Sequence, residues 1–281
     1  MNKRKIISLI LLGIFFIGLS ILLYPSVSNY WNMKRQSRAV EDYNDYVKNI
    51  KPEDYSKIFE QAENYNKSLA DLDSPLTEYT KLKNYEDTLN INDNGMIGYI
   101  SIDKLRVELP IYHGTSDTVL SSACGHLEGS SFPIGGEGTH SVLSAHRGLP
   151  SAKLFSELDK LEEGDTFKIT ILDRILTYKV DQIRIVNPAD INDVQLESGK
   201  DYCTLLTCTP YGINTHRLLV RGVRTENIEE ENLSITSDAY IIDKFIVTSA
   251  VALPILLLLI IYVFFKPIKQ KLPLEEEGEE I

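Results

Sequence analysis

Two long apolar runs lie near the ends of the chain, and the sequence between them is mixed in polarity. The first run extends from Ile6 to Leu23 and follows Lys3-Arg4-Lys5, and the second extends from Phe245 to Phe265 and precedes further lysines. Each run has about the length that a helix needs to cross a bilayer. Because the basic flanks lie at the outer ends of both runs, both termini are predicted to be cytosolic. A cleaved signal peptide is the alternative for the first run, since Ser26-Val27-Ser28 offers small residues after it.

The segment from Arg35 to Leu72 has apolar residues at helical spacing, interrupted at Lys51-Pro52. The apolar positions are Val40, Tyr43, Val47 and Ile50, followed by Tyr55, Phe59, Ala62, Tyr65 and Leu69. This spacing predicts two amphipathic helices joined near Pro52, with faces that pack against the rest of the protein rather than bind a cofactor.

From Met96 onward the pattern changes to the alternation that is typical of strands. Strand-like runs cover 97–102, 107–112, 167–171 and 176–180, and a shift of phase at Ile183 and Ile185 indicates a β-bulge. The segments Ser116 to His126 and Lys153 to Leu161 resemble short connecting helices. Many short strands with brief helices predict a mainly β fold, a closed or nearly closed barrel.

Charge and cysteine content narrow the function classes. The net charge of −11 and the pI near 5.0 argue against a nucleic-acid partner. Three cysteines cannot all pair within one chain. Cys203 and Cys208 cannot bridge along one strand, because five residues span about 16 Å against a tolerated Cα separation of about 7 Å. We therefore interpret Cys203 and Cys124 as small buried residues.

Cys208 ends one strand-like run before Thr209-Pro210, Arg217 begins the next run, and His146 ends an earlier one. A cysteine, a histidine and an arginine supply a nucleophile, a proton carrier and an oxyanion donor, which are the groups that acyl transfer needs. Each residue alone also has an ordinary interpretation, as a core cysteine, a hydrogen-bonded structural histidine or a surface charge. Their joint occurrence within particular flanking residues favours the catalytic hypothesis.

The remaining histidines are weaker candidates. His216 is expected to point away from Arg217, His140 is placed on the same strand as His146, and His113 and His126 fall in a strand end and a loop. No cysteine and histidine spacing is typical of a zinc site, so the sequence predicts neither a metal nor a cofactor.

Thr204-Leu205-Leu206-Thr207-Cys208, with Arg217 after the turn, resembles the sequence of the sortase transpeptidases. The flanking segments 112–115, 125–131, 146–150 and 208–217 look like those of class C, pilin-polymerising sortases of Gram-positive bacteria, as do the second span and the helical extension. The resemblance implies an eight-stranded barrel over about Met96 to Arg224, catalytic roles for Cys208, His146 and Arg217, and a site-lining role for Thr207.

Class C sortases often carry a lid with an Asp-Pro-aromatic tripeptide. The candidate here is Asp73-Ser74-Pro75-Leu76, in which a serine separates Asp from Pro and a leucine replaces the aromatic residue. As a lid, Leu76 would be the apolar plug and Asp73 the polar contact to Arg217 or the thiol. An ordinary turn is the alternative interpretation.

The resemblance implies a membrane-anchored cysteine transpeptidase with an extracellular catalytic domain. It would cleave an LPxTG-like sorting signal after threonine and join pilin subunits through a lysine isopeptide bond. The alternatives are a housekeeping sortase that anchors proteins to a peptidoglycan precursor, a peptidase, and a non-catalytic pilus-base scaffold. The predicted segments are a cytosolic tail (1–5), an N-terminal anchor (6–24), a helical extension with the candidate lid (35–95), a catalytic barrel (96–225), a linker (226–244), a transmembrane helix (245–265) and a cytosolic tail (266–281).

Overall fold

The structure, a computed structural model, describes residues 3–227 and Leu256. The described residues up to 227 belong to one compact unit. Apart from Leu256 and the first two residues of the linker, the linker 226–244, the second apolar run 245–265 and the C-terminal tail 266–281 lie outside the described residues.

The N-terminal part of the chain is one long helix followed by a shorter one. Helix α1 (Lys3–Asn49) is continuous from the apolar run into the helical extension, and it contains a stretch of mean hydropathy 1.6 that is long enough to cross a membrane. Helix α2 (Pro52–Ala70) begins after Lys51, whose extended backbone and following proline break the helical hydrogen bonding. The predicted break near Pro52 is therefore confirmed.

The apolar face of α1 packs against the barrel, and one tyrosine marks the junction. Tyr43 is fully buried. Its hydroxyl donates to the carbonyl of Ile97 at 3.0 Å and accepts from the amide of Leu172 at 2.9 Å. This side chain therefore satisfies two backbone groups of the barrel, so the C-terminal half of α1 packs as part of the same unit as the barrel.

Eight strands close into the barrel that the sequence predicts. They are β1 (Met96–Ile102), β2 (Val107–His113), β3 (Cys124–His126), β4 (Thr139–Ser144), β5 (Thr166–Ile171), β6 (Arg174–Val186), β7 (Asp201–Thr209) and β8 (His216–Thr225). Their order around the barrel is β1-β2-β3-β4-β7-β8-β6-β5. The β2–β3 and β4–β7 pairs are parallel and the others are antiparallel. The register of β6 against β8 shifts between Val180 and Gln182, which confirms the predicted bulge.

The two predicted connecting helices are wrong in part. Helix α3 (Pro75–Glu78) precedes the barrel, and the segment from Ser116 contains only the short helix α4 (Asp117–Leu120) before β3. Residues 124–126 form β3 instead, because Gly125 has no side chain and its backbone can approach Gly114 closely while it pairs with β2. An added Cβ at Gly125 would lie 2.3 Å from the carbonyl oxygen of Gly114. The segment Lys153 to Leu161 forms turns and one 3₁₀ helix, Leu158–Lys160.

Candidate active site

The parallel pairing of β4 with β7 brings His146 and Cys208 to the same end of the barrel. The ladder runs to Ser144 opposite Leu206, and the amide of Ala145 extends it by donating to the carbonyl of Leu206 at 3.2 Å. Neighbouring strands lie about 5 Å apart. His146 follows two residues after the end of β4, so its predicted place on the same strand as His140 is wrong.

Two side-chain contacts bracket the His146 and Cys208 positions. One residue before them, the Thr207 hydroxyl donates to the carbonyl of Ala145 at 2.8 Å. One residue after them, the Arg147 guanidinium donates to the Thr209 hydroxyl at 3.1 Å. Since the flanking residues are in contact on both sides, His146 lies beside Cys208. Both residues are partly exposed, so a substrate can reach them.

Arg217 completes the group from the other side of Cys208. In the antiparallel pairing of β7 with β8, Cys208 lies directly opposite Arg217. The guanidinium donates to the carbonyls of His216 at 3.1 Å and Asn214 at 3.3 Å. Within residues 3–227 it forms no ion pair with a carboxylate. It therefore retains donors for an oxyanion or a substrate carbonyl.

Sequence reasoning missed Arg147, the residue that joins the two strand ends. Its side chain is only 9% exposed, and it donates to Asp159 at 2.6 Å as well as to Thr209. Asp159 belongs to the 3₁₀ helix after β4, so the guanidinium ties that helix to the end of β7. A charged residue immediately after His146 was the available signal, but no local pattern shows that it is buried.

The other cysteines and three of the other histidines have structural roles. Cys124 and Cys203 are fully buried, as predicted, and burial raises the pKa of both thiols, which disfavours the reactive thiolate. His126 is buried on β3 rather than in the loop that we predicted, and burial lowers its pKa to about 4. His140 bonds the carbonyl of Gln195, and both ring nitrogens of His113 face backbone carbonyls.

A groove of about 440 Å³ runs beside Arg217. Its walls come from the barrel, from the segment before the barrel and from the loop between β6 and β7: Leu76, Tyr79, Thr115, Leu120, Leu127, Glu128, Ser144, Val186, Pro188, Asp190, Ile191, Val194, Leu206, Arg217 and Leu219. Leu206, which the sequence analysis did not select, lines the groove. Thr207 points to the other face of β7, where it is 1% exposed.

The candidate lid forms part of the groove wall. Helix α3 begins at Pro75 after Ser74, and Leu76 packs on the apolar cluster that includes Leu219. An added Cβ at Gly129 would lie 2.8 Å from the Cα of Leu76, so this helix rests directly on the barrel loop. Tyr79, one turn after Leu76, places an aromatic ring in the same groove.

The contact predicted for Asp73, with Arg217 or the Cys208 thiol, has no such support. Asp73 is exposed. Across residues 3–227 it forms no hydrogen bond or ion pair with Arg217 or Cys208. Lid function therefore stays a prediction that depends on the Leu76 contact.

Comparisons with known proteins identify the family of this fold. The profile of the Sortase domain matches residues 100–225. The crystal structure of sortase C1 from Streptococcus agalactiae is 52% identical, with a TM-score of 0.63, over 68% of this chain and 99% of that chain. This chain belongs to the sortase family.

Further relatives extend the comparison. Sortase C from Clostridium perfringens, solved with the C-terminal cell wall sorting motif, is 44% identical with a TM-score of 0.60, over 68% of this chain and 100% of that one. Sortase D of Bacillus subtilis is 31% identical over 130 residues, which are 45% of this chain and 63% of that protein. The similarity to class C structures thus covers nearly their whole length, whereas the match to Sortase D covers less than two thirds of it.

Proposed function

We propose that this sortase is a membrane-anchored cysteine transpeptidase that cleaves an LPxTG-like sorting signal after threonine. The released acyl group would be joined to a lysine amine of a second pilin subunit. Two strand pairings carry this proposal: in the pairing of β7 with β8, Arg217 lies opposite Cys208, and in the pairing of β7 with β4, the end of β4 leads into His146 beside Cys208.

In the first half of the proposed reaction, the Cys208 thiolate attacks the threonine carbonyl, and the Arg217 guanidinium stabilises the resulting oxyanion. His146 takes the thiol proton and returns it to the departing glycine amine. The C–N bond breaks and a thioester remains on Cys208. In the second half, a lysine amine attacks the thioester, His146 accepts its proton, and the amide forms as the thiol is regenerated.

The groove beside Arg217 suits the apolar start of such a signal. Its walls include Leu127, Val194, Leu206 and Leu219, which offer apolar surface to leucine and proline side chains. The class C similarity, which includes one structure solved with a cell wall sorting motif, supports the same substrate class.

The test is mass spectrometry of the purified full-length chain with a sorting-signal peptide and two competing amines, a lysine-bearing pilin domain and a peptidoglycan-like amine. We expect a thioester on Cys208 and an amide to the pilin lysine. Cys208→Ala should abolish both, whereas Cys203→Ala and Cys124→Ala should retain them. Transfer to the peptidoglycan-like amine would favour a housekeeping sortase. A free-acid product alone would favour a peptidase, and the absence of any acyl-enzyme would favour a non-catalytic scaffold.

We also propose that the barrel is extracellular, between two spans with cytosolic ends. Helix α1 supports the first span, whereas the second is a proposal from sequence. In a Cys208→Ala background, an impermeant thiol reagent should label Ser37→Cys, which is exposed, but not Lys271→Cys in intact cells. Labelling of Lys271→Cys from outside would contradict the two-span topology.

A further inference from the structure

Helix α1 exposes a group of large side chains immediately after its apolar run. Tyr24, Val27, Tyr30 and Trp31, which we call the aromatic collar, are each at least half exposed. Isolated exposed apolar side chains are common on protein surfaces, but four within eight residues form a patch that needs a partner. Tyrosine and tryptophan are the residues that concentrate where a bilayer meets water.

The barrel does not cover the collar because it contacts the opposite face of the helix. The side chain of Asn29 accepts from the amide of Lys153 at 2.8 Å, and that of Asn32 donates to the carbonyl of Ser151 at 2.8 Å. Gln36 continues the same face with a bond to the carbonyl of Ser122. At about 100° per residue, these three positions centre roughly 160° from the centre of the collar.

The collar face continues into positive charge. Lys34, Arg35 and Arg38 are all exposed, and by the same helical rotation they lie on the collar side of α1. Helical side chains tilt toward the N-terminus, so these long cationic side chains point back toward the apolar run. Along one face the helix is thus apolar, then aromatic, then basic, which is the order of acyl chains, interface and phosphates in a leaflet.

The distances fit a bilayer that begins near the Lys3-Arg4-Lys5 flank. Twenty residues of helix cover about 30 Å, the thickness of the hydrocarbon core, so a core entered at Ile6 is left near Pro25. Trp31 then lies roughly 9 Å further along the axis, close to the headgroup layer.

We propose that the aromatic collar and the basic residues beyond it bind the phospholipid surface of the outer leaflet. The collar would anchor in the interface, Lys34 and Arg35 would reach back to lipid phosphates, and Arg38, about 20 Å beyond the core, would add long-range attraction to anionic headgroups. The loop that bonds Asn29 and Asn32 begins three residues after His146, so this contact holds the candidate active site beside the bilayer. An acyl donor that emerges from the same membrane would then meet the candidate active site at a fixed distance from the bilayer surface.

Trp31 makes the proposal testable because it is the single tryptophan of the chain. The full-length chain is reconstituted in vesicles of phosphatidylcholine and phosphatidylglycerol that carry bromine near the headgroup or near the acyl-chain ends. We expect the shallow bromines to quench Trp31 at least about twofold more strongly than the deep ones, with little quenching by aqueous acrylamide. The matched control is Tyr46→Trp in a Trp31→Phe background, an exposed site on α1 about 22 Å further from the membrane, which acrylamide alone should quench.

Two outcomes would overturn the proposal. Quenching of Trp31 by acrylamide and not by lipid would place the collar in water, and protection from both would mean that protein covers it.

The triple change Lys34→Gln, Arg35→Gln and Arg38→Gln should reduce the shallow quenching, whereas the same change at the exposed lysines Lys48, Lys51 and Lys57 should not. Equal effects of the two triple changes would refute specific phosphate binding. Because the readout is fluorescence, these results are independent of transpeptidase activity.

Discussion

Replacing Arg147 should impair the reaction without removing a reacting group. Its guanidinium bonds Thr209, next to Cys208, and Asp159, in the segment after His146. We therefore expect Arg147→Met, which keeps the length of the side chain and removes its charge and donors, to loosen the relative position of His146 and Cys208.

The expected magnitude follows from the burial of the two partners. The Arg147 side chain is 9% exposed and that of Asp159 is 49% exposed, so the pair lies between a surface ion pair, worth up to about 1 kcal/mol, and a buried one, whose disruption costs about 3–5 kcal/mol. A loss of roughly 2 kcal/mol in the arrangement that holds the two strand ends corresponds to a fall in kcat/KM of about 10- to 30-fold. Arg147→Lys should recover part of this, since an ammonium cannot present the fork that serves both partners.

The assay is kcat/KM for peptide cleavage across pH, together with thermal denaturation. The matched control is Arg221→Met, because Arg221 forms a partly buried ion pair with Asp181 on the barrel wall and bonds neither Cys208 nor His146. Both variants should lose stability, but only Arg147→Met should lose rate, with the limbs of the pH profile unmoved. Equal rate losses in the two variants, or a wild-type rate in Arg147→Met, would refute the positioning role.

Three further predictions concern the groove, the lid and the core. Arg217→Lys keeps the charge but loses the planar fork, so kcat should fall on the order of 10²-fold or more in the peptide assay; a wild-type rate would make Arg217 structural. Replacing Asp73 and Leu76 together by alanine should raise alkylation of Cys208 a few-fold, about 1 kcal/mol of closure, and an unchanged rate would reduce the segment to a linker. Burial lowers the pKa of His126 from 6.5 to about 4, so its contribution to stability is complete above about pH 6.5 and is lost by up to roughly 3 kcal/mol as pH falls toward 4. His126→Gln should flatten this part of the denaturation profile, and an unchanged slope would contradict the assignment.

The sequence predicted the barrel because its strands are short, regular and alternating. The buried positions of β5 are Phe167, Ile169 and Ile171, the residues that the alternation selects. Similarly, the proline after Thr209 marks the end of β7, since proline cannot donate to the ladder. Both features follow from local sequence patterns that can be recognised within a few consecutive residues.

The misplaced elements depend on contacts between segments that are distant in sequence. Cys124-Gly125-His126 becomes a strand because Gly125 lies against the carbonyl of Gly114 and pairs in parallel with β2. A three-residue strand carries too little alternation to be recognised alone. Likewise, Lys153 to Leu161 was predicted to be helical, but at its first residue the amide of Lys153 donates to Asn29 of α1 and the Lys153 ammonium donates to the carbonyl of Leu105.

The same distinction explains the residues of the candidate site. Cys208, His146 and Arg217 were selected from sequence because they occur together within flanking segments that resemble those of the sortases. Arg147 was not, because its importance comes from being 9% exposed between Asp159 and Thr209, which only the folded barrel brings together. If Arg147 positions the catalytic pair as we predict, the geometry of thiol and imidazole is set by a buried charge that no local pattern reveals. The side chains that would perform the chemistry can then be identified from the sequence, whereas the side chains that hold them in place can be identified only from the structure.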